Sequence, residues 1–228
     1  MKVLAIIPAR GGSKGIPRKN LARINGKSLV AYAAEAALSA KSIDKAVIST
    51  DDPEIREEGV RFGLEAPFIR PAELASDEAS SIDTWRHAWL ESENFYGVQF
   101  DVSVLLEPSS PNRTASDIDA AVDLLQKERA DSVITVSDLD AHNAPEKLLQ
   151  IDSTGRLRHF WSEKKHVSRR QDVGRYYVRN GICYVVTRDL LTQKNQIFST
   201  STIPMIISRQ VINIDTAHDL LLAGIRPA

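Results

Sequence analysis

The first twenty residues constrain the fold of this chain more than any other stretch. An uninterrupted apolar run at residues 3–7 leads through Pro8 into the glycine-rich segment ARGGSKG at residues 9–15. Such a run is typical of a strand buried on both faces of a parallel sheet. Glycines let the backbone approach a ligand closely, and consecutive N–H groups in such a turn form an anion-binding concavity. The sequence therefore predicts a buried strand that ends in an anion-binding loop.

Four cations follow within ten residues, namely Arg10, Lys14, Arg18 and Lys19. A glycine loop with this much fixed positive charge suits a polyphosphate. The segment lacks the Gly-Lys-Ser/Thr ending of a P-loop and the GxGxxG pattern of dinucleotide sites. The alternative interpretation is a flexible surface loop with solvated charges.

Strand and helix patterns alternate through the first 136 residues. The predicted strands are 3–7, 45–50, 66–70, 101–106 and 131–136, and the predicted helices are 28–40, 54–62, 82–90 and 114–127. This order indicates an α/β fold with a doubly wound, mostly parallel sheet. Ligands of such sheets bind beyond the carboxyl ends of the strands. We expect the loop at Arg10, the turn at Asp51-Asp52 and the turn after Leu106 to share that edge.

The pattern changes after Ser137. Residues 147–151 and 156–161 predict a hairpin, and residues 140–177 as a whole predict a polar excursion from one domain spanning residues 1–228. Strands at 181–187 and 203–207 and a helix at 215–224 complete the chain. Trp85 and Trp89 have helical spacing and are predicted to be core.

Composition narrows the possible functions. Of 228 residues 43% are hydrophobic, and the net charge of −1 argues against general nucleic-acid binding. The basic residues cluster in the first loop and at 164–170, which suits a small anionic ligand. Cys183 is the single cysteine and is expected to be inert core. No signal peptide or membrane span is predicted, so we expect a cytoplasmic protein without membrane partners.

Five segments resemble the CMP-sugar synthetases, cytidylyltransferases that activate acidic nine-carbon 2-keto sugars or, in a neighbouring branch, Kdo. They are PARGGSKGIPRKN (8–20), RPAELASDEASS (70–81), LLEPSSPNR (105–113), RRQD with RNG (169–181) and INIDTAHDL (212–220). The resemblance covers nearly the whole chain in the right order. It implies a Rossmann-like nucleotidyltransferase, CTP and an acidic 2-keto sugar as substrates, Mg²⁺, and a homodimer in which the excursion closes the partner's sugar pocket.

For the nucleotide, Arg10 and Lys14 are predicted to hold the triphosphate, since Arg offers a planar fork and Lys a mobile charge. Lys19 is expected near the α-phosphate, while Arg18 is either part of this group or solvated. The resemblance implies that Arg70 and Ser81 line the cytosine and ribose pocket; alternatively, residues 77–81 only cap the next helix. The remaining predicted nucleotide-binding residues are Gly11, Gly12, Ser13, Asn20, Pro108 and Ser109.

The sugar site implied by the resemblance comprises Glu107, Ser110, Arg170, Asn180 and Gly181. Glu107 and Ser109 stand where the family usually has Gln and Thr, which leaves the exact sugar open. The alternative for this segment is a Pro-rich turn without a binding role. Many relatives carry a further Arg two residues before the Asn, where this chain has Val178.

Two neighbours of these positions stay open. Arg179 either substitutes for the missing Arg or is turned away by strand alternation. Tyr184 is a weaker sugar-binding candidate and is better explained as core. Lys164, Lys165 and His166 are interpreted as a solvated face.

Two aspartates hold Mg²⁺ in the resembling family, at the positions of Asn213 and Asp215. Alternation places both side chains on one face, and Mg²⁺ needs few protein oxygens. Asp215 alternatively caps the last helix. We see no general base and predict metal-assisted deprotonation of the sugar hydroxyl with help from Asp215.

The sequence thus predicts transfer of CMP from CTP to a nonulosonic acid (N-acetylneuraminic, legionaminic or pseudaminic), with Arg10, Lys14, Lys19 and Asp215 as catalytic residues. The rivals are CMP-Kdo synthesis, a nucleotidyltransferase with another base, and a silent nucleotide-sugar-binding module. Asn213 keeps the last one open, because an amide weakens a metal site.

Overall fold

The computed structural model describes residues 1–161 and 174–225. In chain order its elements are β1 (Val3–Pro8), β2 (Arg23–Ile24), β3 (Lys27–Ser28), α1 (Leu29–Ser39), β4 (Lys45–Ser49), α2 (Pro53–Arg61), α3 (Ser81–Tyr96), β5 (Val102–Leu105), α4 (Ala115–Glu128), β6 (Ser132–Asp138), β7 (Leu149–Ile151), β8 (Leu157–His159), β9 (Tyr177–Thr187), β10 (Thr202–Ile206) and α5 (Ala217–Ile225).

A six-stranded sheet in the order β10-β6-β9-β5-β1-β4 forms the centre. All its pairings are parallel except those of β9, which runs antiparallel to β5 and β6. Apolar side chains of α1, α2 and α4 cover one face, and α3 covers the other with the fully buried Trp85 and Trp89. The predicted doubly wound fold and the core tryptophans are confirmed.

Side-chain caps fix where helices begin behind the strands. The Ser28 hydroxyl accepts a hydrogen bond from the Ala31 N–H at 3.1 Å, which starts α1. The Asp52 carboxylate accepts from two N–H groups of α2, whose first residue is Pro53. Thr114 and Asp117 form a capping box on α4. The Asp52 cap thereby starts α2 directly after the carboxyl end of β4.

One predicted strand does not form. Residues 66–70 make no ladder, and only Glu65 bridges to Val47 of β4. Pro67 lacks the N–H that a ladder needs. The segment still follows β4, because the Arg70 N–H donates to the Thr50 carbonyl at 3.0 Å.

Two hairpins branch from the sheet. The predicted one at β7 and β8 is confirmed. The other, between β2 and β3, was missed, although Asn25 and Gly26 both adopt positive φ as a two-residue hairpin turn requires. None of the helices in residues 1–161 and 174–225 combines the length and apolar character needed to span a membrane.

Candidate functional site

A cleft of about 450 Å³ opens where β1 and β5 end. It lies at the sheet edge where the sequence predicts ligand binding. Its walls contain many of the predicted site residues, namely Arg10, Ser13, Lys14, Lys19, Asn20, Arg70, Ser81, Glu107, Pro108, Ser109 and Asp215.

The glycines of the first loop permit close backbone packing. The Gly11 N–H donates to the Asp51 carboxylate at 3.0 Å, and a Cβ at Gly11 would lie 2.8 Å from Asp52 Oδ2. A Cβ at Gly15 would lie only 2.3 Å from the Asp215 carbonyl oxygen. Within the described part of the chain, the N–H groups of residues 12–15 donate no hydrogen bond. These donors are therefore available to an anion.

Three cations of the cleft have carboxylate partners in this structure. Arg10 and Lys14 both bind Asp77, at 2.8 and 2.9 Å, and Lys19 binds Asp215 at 3.0 Å. Positive and negative side chains therefore lie side by side in the cleft, and the carboxylates of Asp77 and Asp215 are partly exposed to solvent.

Two neighbouring polar residues shape the loop. Arg18 pairs with Asp52 and Glu54 at the start of α2 and is not part of the cleft lining. The buried Asn20 donates from Nδ2 to the Arg10 carbonyl at 2.9 Å. Asn20 thus holds the backbone that presents Arg10.

Arg70 is a buried cation in the wall of the cleft. Its Nε donates to Ser49 Oγ at 3.1 Å, and its guanidinium also donates to the Ser49 carbonyl. Burial lowers the pKa of Arg70 to about 10, so the group is still charged at neutral pH. Helix α3 is capped by Ser80, which frees Asp77 for the contact with Arg10 and Lys14.

A second cleft of about 380 Å³ adjoins the first and shares Ser81, Leu105 and Glu107 with it. Its other lining residues are Ile82, Trp85, Val178, Arg179, Tyr184 and Ile197. The structure thus turns Arg179 into a cleft, whereas regular alternation would turn it away. Burial raises the pKa of Tyr184 to about 12, so its hydroxyl keeps its proton.

An irregularity in β9 explains the orientation of Arg179. Tyr184 pairs with Ile134 and Arg179 with Val136, so two steps along β6 correspond to five along β9. Five regular steps would place the two side chains on opposite faces. The extra residues include Gly181 with φ 72°, and the bulge returns Arg179 to the face of Tyr184.

Asn180 and Ser110 support this bulge from behind. The Asn180 side chain donates to Ser137 Oγ at 3.0 Å and accepts from the Ile182 N–H at 3.2 Å. A Cβ at Gly181 would lie 2.7 Å from Ser110 Oγ. Neither Asn180, Gly181 nor Ser110 lines either cleft, so their predicted contact with a sugar stays a prediction.

Glu107 stands between the two clefts, and burial raises the pKa of its carboxyl. Its backbone is held by Arg113, a residue to which the sequence assigned no role. The Arg113 guanidinium donates to the carbonyls of Glu107 and Gly181 at 2.8 and 3.0 Å, and also to that of Ile182. Burial lowers the pKa of Arg113 to about 10. In the sequence, the position of Arg113 at the end of the segment LLEPSSPNR was the only feature that could have indicated its role.

The predicted metal residues flank a buried residue in the segment before α5, and of the two only Asp215 lines a cleft. Ile214 between them is buried, and its N–H donates to the Ser109 carbonyl at 2.8 Å, while Asn213 and Asp215 are exposed. The Thr216 hydroxyl accepts from the Asp219 N–H at the start of α5, so capping does not use the Asp215 side chain.

These oxygens resemble a partial site for a divalent cation. The described residues contain no cluster of three or more His, Cys, Asp or Glu that could hold a metal. One carboxylate and one amide oxygen nevertheless fit Mg²⁺, which commonly keeps waters and binds substrate phosphates.

Cys183 lines neither cleft. Cys183 is fully buried, and burial raises the pKa of its thiol to about 12, as expected for inert core. Arg170 lies outside the described residues.

Solved structures share this fold. CMP:2-keto-3-deoxy-manno-octonic acid synthetase, in complex with CTP, superposes with a TM-score of 0.73 over 99% of this chain and 98% of that chain. The two sequences are 18% identical, so the likeness concerns the fold.

Sequence comparisons identify the family. The Cytidylyltransferase model matches residues 4–212. Post-translational flagellin modification protein B of Campylobacter coli is 34% identical over 88% of this chain and 84% of its own length. CMP-N,N'-diacetyllegionaminic acid synthase of Legionella pneumophila is 33% identical over 97% and 94%. Pseudaminic acid cytidylyltransferase of Campylobacter jejuni is 31% identical over 99% and 96%. The chain belongs to the cytidylyltransferase family.

Proposed function

We propose that the protein transfers CMP from CTP to an acidic nine-carbon 2-keto sugar and releases pyrophosphate. The observation that carries this proposal is the pair of adjoining clefts. The first has loop N–H groups and cations suited to a triphosphate, and the second has Arg179 and Tyr184 in its lining and shares Glu107 with the first. Relatives named for legionaminic and pseudaminic acid support the choice of acceptor.

On the nucleotide side, Arg10, Lys14 and Lys19 bind the phosphates together with the N–H groups of residues 12–15. Arg70 and Ser81 contact the cytidine, and Pro108 and Ser109 line the same cleft. These three cations offset charge that moves onto the leaving pyrophosphate, which is electrostatic stabilisation of the transition state.

On the sugar side, Arg179 supplies a guanidinium to the second cleft, and such a group pairs well with a carboxylate. Glu107 stands where the two clefts meet and accepts hydrogen bonds from the acceptor's hydroxyl groups. The residues that line the second cleft hold the hydroxyl oxygen of the sugar in line with the α-phosphorus of CTP. The new O–P bond then forms as the bond to pyrophosphate breaks.

Mg²⁺ is part of this proposal, held by Asp215 and the amide oxygen of Asn213. When bound, it neutralises phosphate charge and lowers the pKa of the acceptor hydroxyl. Lys19, which contacts Asp215 at 3.0 Å, positions that carboxylate beside the phosphates.

We also propose a cytoplasmic homodimer that uses the β7–β8 hairpin as its contact. The hairpin exposes apolar side chains, with Ile151 72% and Leu157 69% exposed. These two residues pair across the hairpin and therefore share one face. A contiguous exposed apolar surface of this kind marks an interaction site.

The decisive experiment measures pyrophosphate release from CTP and Mg²⁺ with neuraminic, legionaminic, pseudaminic and Kdo acceptors. Release with one nine-carbon acid establishes the reaction and its substrate together. Release with Kdo alone overturns the choice of acceptor, and substitution of UTP for CTP without loss of rate overturns the choice of base. CTP binding without release from any acceptor supports the silent module, which an N213D variant tests in the same assay.

A further inference from the structure

Asp77 occupies an unusual position for a carboxylate. It belongs to the Asp77 loop (residues 71–80), which forms one wall of the first cleft between Arg70 and α3. Its two oxygens bind different cations, with Arg10 on Oδ1 at 2.8 Å and Lys14 on Oδ2 at 2.9 Å. These are the two cations that the proposed function assigns to the triphosphate.

The same arginine also holds the backbone of the Asp77 loop. Arg10 donates to the Ser76 carbonyl at 2.9 Å and to the Ala75 carbonyl at 3.4 Å. Thr84 of α3 ties the other side of the loop through the Leu74 carbonyl at 3.2 Å. Arg10 therefore gives up some of these contacts when it turns toward a nucleotide, since both of its terminal nitrogens are engaged in them.

An anionic group with two oxygens on two cations reproduces what a phosphate would offer to the same pair. Asp77 is exposed to solvent on its remaining sides, and its partners are partly exposed as well. The contact is therefore of the weak, exchangeable kind that a more highly charged ligand displaces.

We propose that Asp77 is an internal competitor for the triphosphate site. Its carboxylate occupies Arg10 and Lys14 in the free protein, leaves them when the nucleotide binds, and returns to them as pyrophosphate departs. The proposal rests on the proposed function. Asp77 thereby lowers the affinity for CTP and speeds the release of pyrophosphate, because the returning carboxylate neutralises the cations that would otherwise retain the product.

Glu78 provides a matched control. It lies next to Asp77 in the same exposed loop and makes no hydrogen bond or ion pair within the described part of the chain. Replacing it removes the same unit of charge from the same region. A difference in ligand affinity between D77N and E78Q therefore reflects the ion pairs of Asp77 and not the overall charge of the loop.

The test is calorimetric titration of wild-type protein, D77N and E78Q with CTP, inorganic triphosphate, pyrophosphate and CMP, each with and without Mg²⁺. We expect D77N to bind the first three ligands roughly fivefold more tightly, as removal of two exposed ion pairs implies. CMP has no β- or γ-phosphate, so its affinity should change much less, and E78Q should resemble wild type. Thermal melting verifies that each variant is folded.

Equal or weaker binding of triphosphate by D77N, while wild type binds it, overturns the internal competitor and leaves the proposed function intact. Weakening only in the presence of Mg²⁺ also overturns it, because Asp77 would then be a metal ligand. An equal gain in E78Q overturns it in favour of a general field effect. Failure of both wild type and D77N to bind any of these phosphates overturns both proposals.

Discussion

Two carboxylates, Glu107 and Asp215, contribute negative charge to the lining of the clefts. Glu107 is half-buried at their junction, where an amide would have imposed no charge, and the exposed Asp215 contacts Lys19. The two groups therefore differ in what their removal should do. Loss of Glu107 relieves a partly buried charge, and loss of Asp215 removes a group proposed to act on the phosphates.

E107Q should increase the free energy of unfolding at neutral pH. Burial raises the folded-state pKa of Glu107 above the ordinary value of a glutamate, so the unfolded chain releases this proton at lower pH than the native one. Native stability is therefore lost as pH rises through that folded pKa, and the Gln variant avoids the loss. Urea unfolding at about pH 7.5 and about pH 4 measures the difference, which should shrink at the lower pH.

E78Q is the control for this measurement and should behave as wild type at both pH values. A stabilisation by E107Q that is the same at both pH values would indicate a packing effect and contradict the assignment. Catalytic effects of E107Q are read separately, through the KM for the sugar.

D215A should lower the kcat for pyrophosphate release by roughly a hundredfold or more, the size expected when a group stabilising transition-state charge is lost. The side chain is exposed and does not cap α5, so the melting temperature should stay near that of wild type. Steady-state kinetics across a Mg²⁺ titration measures the loss. Turnover equal to wild type would refute the role of Asp215.

At the scale of elements, close packing at two glycines joins the segments that form the site. The first loop packs against the Asp215 segment at Gly15, and the β9 bulge packs against Ser110 at Gly181. In both places the added Cβ would lie under 3 Å from another group. The elements that carry the proposed nucleotide and sugar contacts are therefore assembled by glycine contacts as well as by the sheet.

G15A should separate the first loop from the Asp215 segment. Its Cβ would lie 2.3 Å from a backbone oxygen, which cannot move as a flexible side chain can. We expect a loss of roughly 1–3 kcal/mol of stability, typical of overpacking, together with weaker CTP binding. Chemical denaturation and calorimetry measure the two effects.

G12A is the matched control, because a Cβ at Gly12 would meet nothing within 4 Å. It should keep the stability of wild type. Equal destabilisation by G12A and G15A would show that loop flexibility, and not the contact with Asp215, is what these glycines provide.

At the scale of the whole molecule, the β7–β8 hairpin is a part of the described chain that the central sheet does not cover. Leu149, Ile151 and Leu157 share one face of it and are all more than half exposed. An isolated two-stranded hairpin is at best marginally stable in water. A second copy of the chain packed on this face would supply the missing cover.

I151E should convert the proposed dimer to a monomer, because a charge at the centre of an apolar contact loses its hydration without gaining a partner. Sedimentation velocity at several concentrations measures the change. V60E is the control, since Val60 is half exposed on α2 and lies outside the hairpin. A wild-type chain that sediments as a monomer would refute the dimer, and an unchanged I151E dimer would refute this face.

How much the sequence predicts depends on how local the cause is. Residues 3–7 and 101–106 were predicted as strands because an uninterrupted apolar run reflects burial on both faces, which needs no partner information. The cations around the first loop were predicted as a group because they are close in the chain. The prediction of a strand at 66–70 was wrong. Pro67 has no N–H, and this prevents pairing only where that N–H would have faced a neighbouring strand, which the sequence does not show.

The sequence by itself determined the doubly wound sheet, its carboxyl-edge loop and the cytidylyltransferase family, because these follow from periodicity and from motifs read along the chain. Only the tertiary structure decided that Arg179 faces the second cleft, that Arg113 joins Glu107 to the β9 bulge, and that Asp77 takes the cations of the first loop. The physical reason is that a bulge reverses alternation and an ion pair forms across space, and both depend on partners that lie far away in the chain.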